Sequence, residues 1–139
     1  MKRFLVVDDQ EACRELLLEM IESLADCDCA KGGEEAVQTF QRAAEEGRPY
    51  DLVCLDILMP DMNGHEVLRR IRQLENEAGV YGADRAKVIM TTALADAQNN
   101  LQAFRNGCEA YVVKPFSEHE ILAAMRRLGL LESDAACVR

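Results

Sequence analysis

The stretch Asp51–Leu58, DLVCLDIL, decides the fold. Apolar residues fill both alternating sets of positions, so a strand here is covered on both faces, as a central strand of a parallel sheet is. The run delivers an acid, Asp56, close to its end. It then passes into MPDMNG (59–64), where Pro60, Asn63 and Gly64 mark a turn-rich loop. Two further apolar runs also end in charge: FLVVDD (4–9) in Asp8 and Asp9, and AYVVKP (110–115) in Lys114 before Pro115. Strand ends in a parallel sheet share one edge, and open α/β sheets bind ligands there. Three carboxylates and one ammonium are thereby expected together. Carboxylates so crowded raise one another's pKa unless a cation lies among them. The pattern predicts a divalent-metal site with a lysine beside it, a combination suited to a phosphoryl group.

Outward from this stretch, strand and helix patterns alternate. FLVVDD reads as the first strand, and Leu16, Leu17, Met20, Ile21 and Leu24 recur at helical spacing over 11–24. CDCA (27–30) is a short second strand, and after Gly32-Gly33 a helix follows over 34–44. A third helix is expected over 64–75, with Val67, Leu68, Ile71 and Leu74 as its apolar stripe. KVIMTT (87–92) is the fourth strand, 96–106 the fourth helix with Gly107 as its cap, and AYVV the fifth strand. Ser117 and Glu120 form a capping box for a last helix ending near Gly129. Five strands alternating with five helices predict a parallel sheet covered on both faces. One domain is expected over 1–129, with 130–139 as a tail or linker stub.

Composition narrows the function. A net charge of −9 argues against non-specific nucleic-acid binding and against anionic membranes. No secretory leader and no run of membrane-spanning length is seen, so a cytoplasmic protein is expected. Cys13, Cys54 and Cys108 read as small hydrophobes, and Cys27 and Cys29 as two residues on one face of a strand rather than metal ligands. Cys137 lies in the polar tail and His65 and His119 read as solvated.

The segments VVDD, LDILMPDMNG, MTTA and YVVKPF, in this order and spacing, resemble the receiver domain of two-component response regulators, a match covering roughly 3–128. The resemblance implies a flavodoxin-like α/β fold, a three-layer (βα)5 sandwich with sheet order 2-1-3-4-5. It also implies that Asp56 is the phosphoacceptor. Asp9 and Asp56 would ligate Mg²⁺ (Mn²⁺ as a substitute) directly, Asp8 through water, and the Leu58 carbonyl would complete the set. Thr92 and Lys114 would contact phosphoryl oxygens, the Lys114-Pro115 bond would be cis, and Thr92 with Tyr111 would form the switch. The implied phosphodonor is a sensor histidine kinase or a phosphotransfer protein. The implied output is a protein partner on the face of the fourth helix, fifth strand and fifth helix, with Leu94, Gln98, Asn99, Tyr111, Glu118 and His119 as candidates. Such a protein signals rather than turns over a substrate, catalysing only its own phosphorylation and dephosphorylation. It would be a monomer or a phosphorylation-dependent dimer.

Other readings differ at identifiable residues. A flavin carrier of this fold needs hydroxyl and amide donors in its first loop, where Asp8-Asp9-Gln10 stands. An Asp-based phosphohydrolase usually has a second carboxylate two residues past its nucleophile, where Leu58 stands. A phosphorylation-independent scaffold, or a receiver excised from a larger regulator, remains as the alternative. Leu58 and Leu94 replace positions that are often polar in relatives, which predicts slow loss of the phosphoryl group.

Overall fold

The computed structural model describes residues 2–93 and 107–131. The helix over 96–106, Leu94, Gln98, Asn99 and Cys137 lie outside the described residues.

Five strands form one parallel sheet: β1 (Arg3–Val7), β2 (Asp26–Ala30), β3 (Leu52–Asp56), β4 (Lys87–Ala93) and β5 (Ala110–Lys114). Their order is β2-β1-β3-β4-β5, the order the resemblance implied. Helices α1 (Glu11–Ile21), α2 (Gly33–Glu45), α3 (Gly64–Glu77) and a C-terminal helix (Glu118–Arg127) cover it. Side-chain alternation splits the core in two. Leu5, Val7, Val53, Leu55, Val88 and Met90 pack with Phe40 of α2 and Leu68 and Ile71 of α3. Phe4, Val6, Leu52, Cys54 and Ile89 pack with Leu17 and Ile21 of α1 and Ile121 and Met125 of the C-terminal helix. Every residue of β3 is buried, as DLVCLDIL predicted, whereas β2 lies at the sheet edge. Leu130 is buried and Leu131 packs on the same cluster as Ile121.

Two of the helix ends that differ from the sequence reading have a visible cause. α1 stops at Ile21 because the chain turns back at once, Leu24 N–H donating to Ile21 O, to bring Asp26 into register with Arg3. α3 continues to Glu77, where Gly79, at φ +75°, lets Val80 N–H return to Glu75 O. Asn63 caps α3, and the Ser117–Glu120 capping box is formed.

One buried ionic network ties α3 to the sheet. The Arg72 guanidinium donates to Glu75, to the carbonyls of Ala86 and Gly107, and to both carboxylate oxygens of Glu109. Glu75 accepts from Ala86 N–H, and Glu109 from Val88 N–H, each at 2.7 Å. The network thus clamps the residues that lead into β4 and β5, the strands carrying Thr92 and Lys114. No helix among the described residues is long and apolar enough to cross a membrane.

Candidate functional site

β1 and β3 are neighbours, so the acids that follow or end them meet. Asp8, Asp9 and Asp56 each place a carboxylate oxygen within 4.8 Å of the others. Asp8 is fully buried, Asp56 is 6% exposed, and Asp9 is open to solvent. Lys114 reaches this group from β5, its Nζ 2.9 Å from Asp8 Oδ2 and 3.5 Å from Asp56 Oδ1. The following Lys114-Pro115 bond is cis, as expected. The other Asp8 oxygen accepts from Gln10 N–H, and Arg14 donates to the Asp8 carbonyl at 2.9 Å.

The charges are unbalanced. One ammonium among three carboxylates leaves two negative charges uncompensated. Burial, then repulsion from Asp8, push the Asp56 carboxyl up to about 6, although Lys114 and Leu58 N–H act in the opposite direction. Burial also works against the charge on Lys114, but its hydrogen bond to Asp8 and the two carboxylates outweigh this and hold the ammonium above its usual value. Three hard oxygen donors with two excess negative charges fit a divalent cation of the magnesium class.

A stability prediction follows for the metal-free protein. A carboxyl whose folded pKa is raised costs stability that builds as the pH rises above its usual range and is complete above its folded pKa. In EDTA, Asp56→Asn should therefore raise the thermal midpoint at pH 7. The gain should shrink as the pH falls through about 6, where the native carboxyl protonates in the fold. A midpoint lowered by the substitution at pH 7 would contradict the assignment.

Backbone packing supports the site from behind. A Cβ on Gly64 would lie 2.6 Å from the Asp56 carbonyl oxygen and 2.8 Å from Ile57 Cα, both rigid backbone atoms. Gly64→Ala should cost about 1–3 kcal/mol in urea unfolding, because α3 or the end of β3 must move. In the same loop Asp61 caps α2 from a distance, its carboxylate accepting from Gly33 and Glu34 N–H at 3.1 Å each. Those two backbone hydrogen bonds hold its carboxyl below the usual range.

The remaining expected residues are placed as follows. Leu58 is exposed beside Asp56, and its backbone N–H works to lower the pKa of that carboxyl. Thr92 is buried near the end of β4, in register with Val113. Tyr111 pairs with Met90, so Tyr111 and Thr92 lie on one face of the sheet, diagonal to each other. Tyr111 is half-buried against the α2–α3 side of the core.

Two readings need correction. His65 is not solvated: both its ring nitrogens are buried, and burial lowers its pKa. Cys13 is not simply a core hydrophobe: its Sγ lies 4.0 Å from Lys114 Nζ, at the edge of the acidic group. Cys13, Arg14 and Asp61 were missed as site neighbours. Thr91, buried and in register with Asp56, was missed as a second hydroxyl at the end of β4. For Cys13 and Arg14 a signal existed, since they lie four and five residues after Asp9 on a helix that starts at the site.

The response regulator receiver domain family matches residues 4–126. The regulatory protein VanRB of Enterococcus faecalis (strain ATCC 700802 / V583) is 34% identical over 134 residues, covering 94% of this chain and 54% of that protein. The transcriptional regulatory protein ResD of Bacillus subtilis (strain 168) is 36% identical over 127 residues, covering 91% of this chain and 47% of that protein. The chain spans about half the length of these curated relatives. Among solved structures, a chain of the CheX-CheY-BeF3-Mg complex from Borrelia burgdorferi superposes with a TM-score of 0.79 at 28% identity, covering 92% of this chain and 89% of that one. The response regulator TrrA from Thermotoga maritima, in complex with Mg(2+)-BeF, gives 0.72 at 37% identity, covering 92% and 99%.

Proposed function

The chain belongs to the response regulator receiver domain family, and from that premise we propose that it accepts a phosphoryl group on Asp56 from a phosphohistidine of a sensor histidine kinase or phosphotransfer protein. The observation that carries this is the position of Asp56, nearly buried between two further acids with Lys114 at 3.5 Å. An Asp56 oxygen forms a bond to phosphorus as the P–N bond breaks. The electron pair of that bond stays on the imidazole, and an acyl phosphate results.

Positioning and charge supply most of the acceleration in such a transfer. Asp8, Asp9 and Asp56, with the Leu58 carbonyl, would hold Mg²⁺ or Mn²⁺, whose charge when bound offsets that gathering on the phosphoryl oxygens. Lys114 exchanges its Asp56 contact for a phosphoryl oxygen and keeps its hydrogen bond to Asp8, which fixes the ammonium in place. Thr92 donates its hydroxyl to another oxygen. Because Thr92 and Tyr111 share a sheet face, a shift of the threonine toward the phosphoryl group opens room beside the tyrosine. That couples chemistry to the surface of β5 and the C-terminal helix, where Glu118 and His119 are exposed, and with it to a downstream protein partner. The phosphoryl group must contact the two states differently for this shift to occur. We place the protein in the cytoplasm, as a monomer or a phosphorylation-dependent dimer, catalysing only its own phosphorylation and dephosphorylation. Since the relatives are about twice as long, a receiver working beside a separate output domain is the second reading.

Intact mass after incubation with Mg²⁺ and acetyl phosphate tests the proposal. A gain of one phosphoryl group, absent in EDTA, is expected. No gain, together with no Mg²⁺ binding by titration, would favour a phosphorylation-independent scaffold. Once formed, the acyl phosphate should decay slowly, because exposed Leu58 offers attacking water no side-chain hydrogen bond. Leu58→Asn with Leu94→Glu should accelerate decay by roughly tenfold or more, by supplying groups that orient water. An unchanged lifetime would refute that account.

A further inference from the structure

At the opposite end of the sheet from Asp56, a cavity of about 590 Å³ opens between the last turns of α2 and α3. Its position follows from the topology: in a parallel sheet the segments entering β3 and β4 lie one strand length, about 16 Å, from the acidic edge. Phe40, Leu74 and Val80 contribute apolar lining. Glu45, Glu77 and Asp84, all exposed, also line it.

These three acids differ from others carried by α2 and α3. Glu66, Glu34 and Glu75 are paired with Arg69, Arg70 and Arg72. Among the described residues, Glu45, Glu77 and Asp84 have no ion-pair partner. Arg85, which follows Asp84, is turned to Glu75 at 3.5 Å. Helices α2 and α3 also end at this cavity and their C-termini add partial negative charge; α2 carries Arg42 in its last turn, exposed and outside the lining, whereas the last turn of α3 carries no basic residue. An apolar floor with an unneutralised acidic rim is complementary to one surface above others, an apolar helix face flanked by cations.

We propose that this groove docks a basic amphipathic segment of a partner protein, its apolar side chains against Phe40 and Leu74 and its lysines or arginines against Glu45, Glu77 and Asp84. The contact lies at the far end of the strands from the phosphoacceptor. It would hold the partner in both phosphorylation states, leaving the surface around Tyr111 to report the change.

The test uses the full chain and a synthetic helix with leucine at every third or fourth position and lysine elsewhere. Its leucine–glutamate counterpart serves as the control. The lysine helix should shift amide resonances chiefly over 40–50 and 74–86. Binding should weaken as salt is raised. Combined Glu45→Lys, Glu77→Lys and Asp84→Lys should weaken it by roughly tenfold or more. The same charge change at Glu15 and Glu19 of α1 and at Glu22 just after it, across the sheet, should leave it nearly unaltered. Amide spectra of both variants establish that they fold. Equal binding of the glutamate helix, equal loss with the α1 variant, shifts centred elsewhere, or no binding at millimolar peptide would each overturn the proposal. Self-association of the chain, abolished by the rim variant, would make a second copy the occupant and would overturn it as well.

Discussion

Asp56→Asn protein, incubated with Mg²⁺ and acetyl phosphate, should keep its unmodified mass while the native chain gains one phosphoryl group. An amide has almost the shape of a carboxylate but no anionic oxygen with which to attack phosphorus. Neither neighbour is suited to take its place. Asp8 is fully buried, with one oxygen bound to Lys114 Nζ and the other to Gln10 N–H. Asp9 is exposed, and among the described residues the carboxylates that Lys114 ion-pairs with are those of Asp8 and Asp56. Uptake should therefore fall by roughly 10³-fold or more, the order seen when a group acting directly in the chemistry is removed. The variant should remain folded, and without metal at pH 7 it should be the more stable protein, because Asp56 is ionised there against a pKa raised to about 6. Retained activity with an acid-stable adduct would mean that another residue type carries the group. A variant that unfolds would mean that Asp56 is a structural carboxylate.

Arg72→Met should cost about 3–5 kcal/mol in urea or thermal unfolding, a lowering of the thermal midpoint by roughly 10 °C or more. Arg72 is 6% exposed and supplies donors to Glu75, Glu109 and two backbone carbonyls. Methionine fills much of the volume but donates nothing. Glu75, itself 5% exposed, would keep Ala86 N–H and the more distant Arg85 but lose its closest cation. The cost comes from the stranded charge rather than from a strong pair, so Arg72→Met combined with Glu75→Leu should recover much of it. A single-variant loss below about 1 kcal/mol would place the network among surface pairs of little consequence. Because the network holds the residues leading into β4 and β5, weaker phosphoryl uptake at temperatures where the variant is still folded would connect it to the placement of Thr92 and Lys114.

Much of this was legible in the chain. Double-faced apolarity marked DLVCLDIL as central, and β3 is buried throughout. Asp8, Asp9, Asp56 and Lys114 were recognisable because each stands at or just past the end of an apolar run, and parallel strand ends converge. Local hydrogen-bond patterns were equally readable, as Ser117 with Glu120 shows. The contacts that escaped join residues far apart in sequence without an apolar signature. Asp61 caps a helix that begins 28 residues earlier, and Arg72 reaches Gly107 and Glu109 across 35 and 37 residues. His65 looked like an ordinary polar residue at a helix start, and nothing local in the sequence marks the burial of its ring nitrogens.

The sequence by itself determined the layers, the strand ends and the set of groups gathered there, because apolar periodicity specifies which face of each element is buried and chain order restricts how parallel strands connect. Tertiary structure decided the electrostatics. Whether Lys114 lies nearer Asp8 or Asp56, how far Asp56 is pushed toward its protonated form, and which acids are left unpaired around the α2–α3 cavity all depend on separations of a few ångströms and on depth beneath the surface. Coulomb energy and desolvation vary steeply over those lengths, and no periodicity in the chain records them.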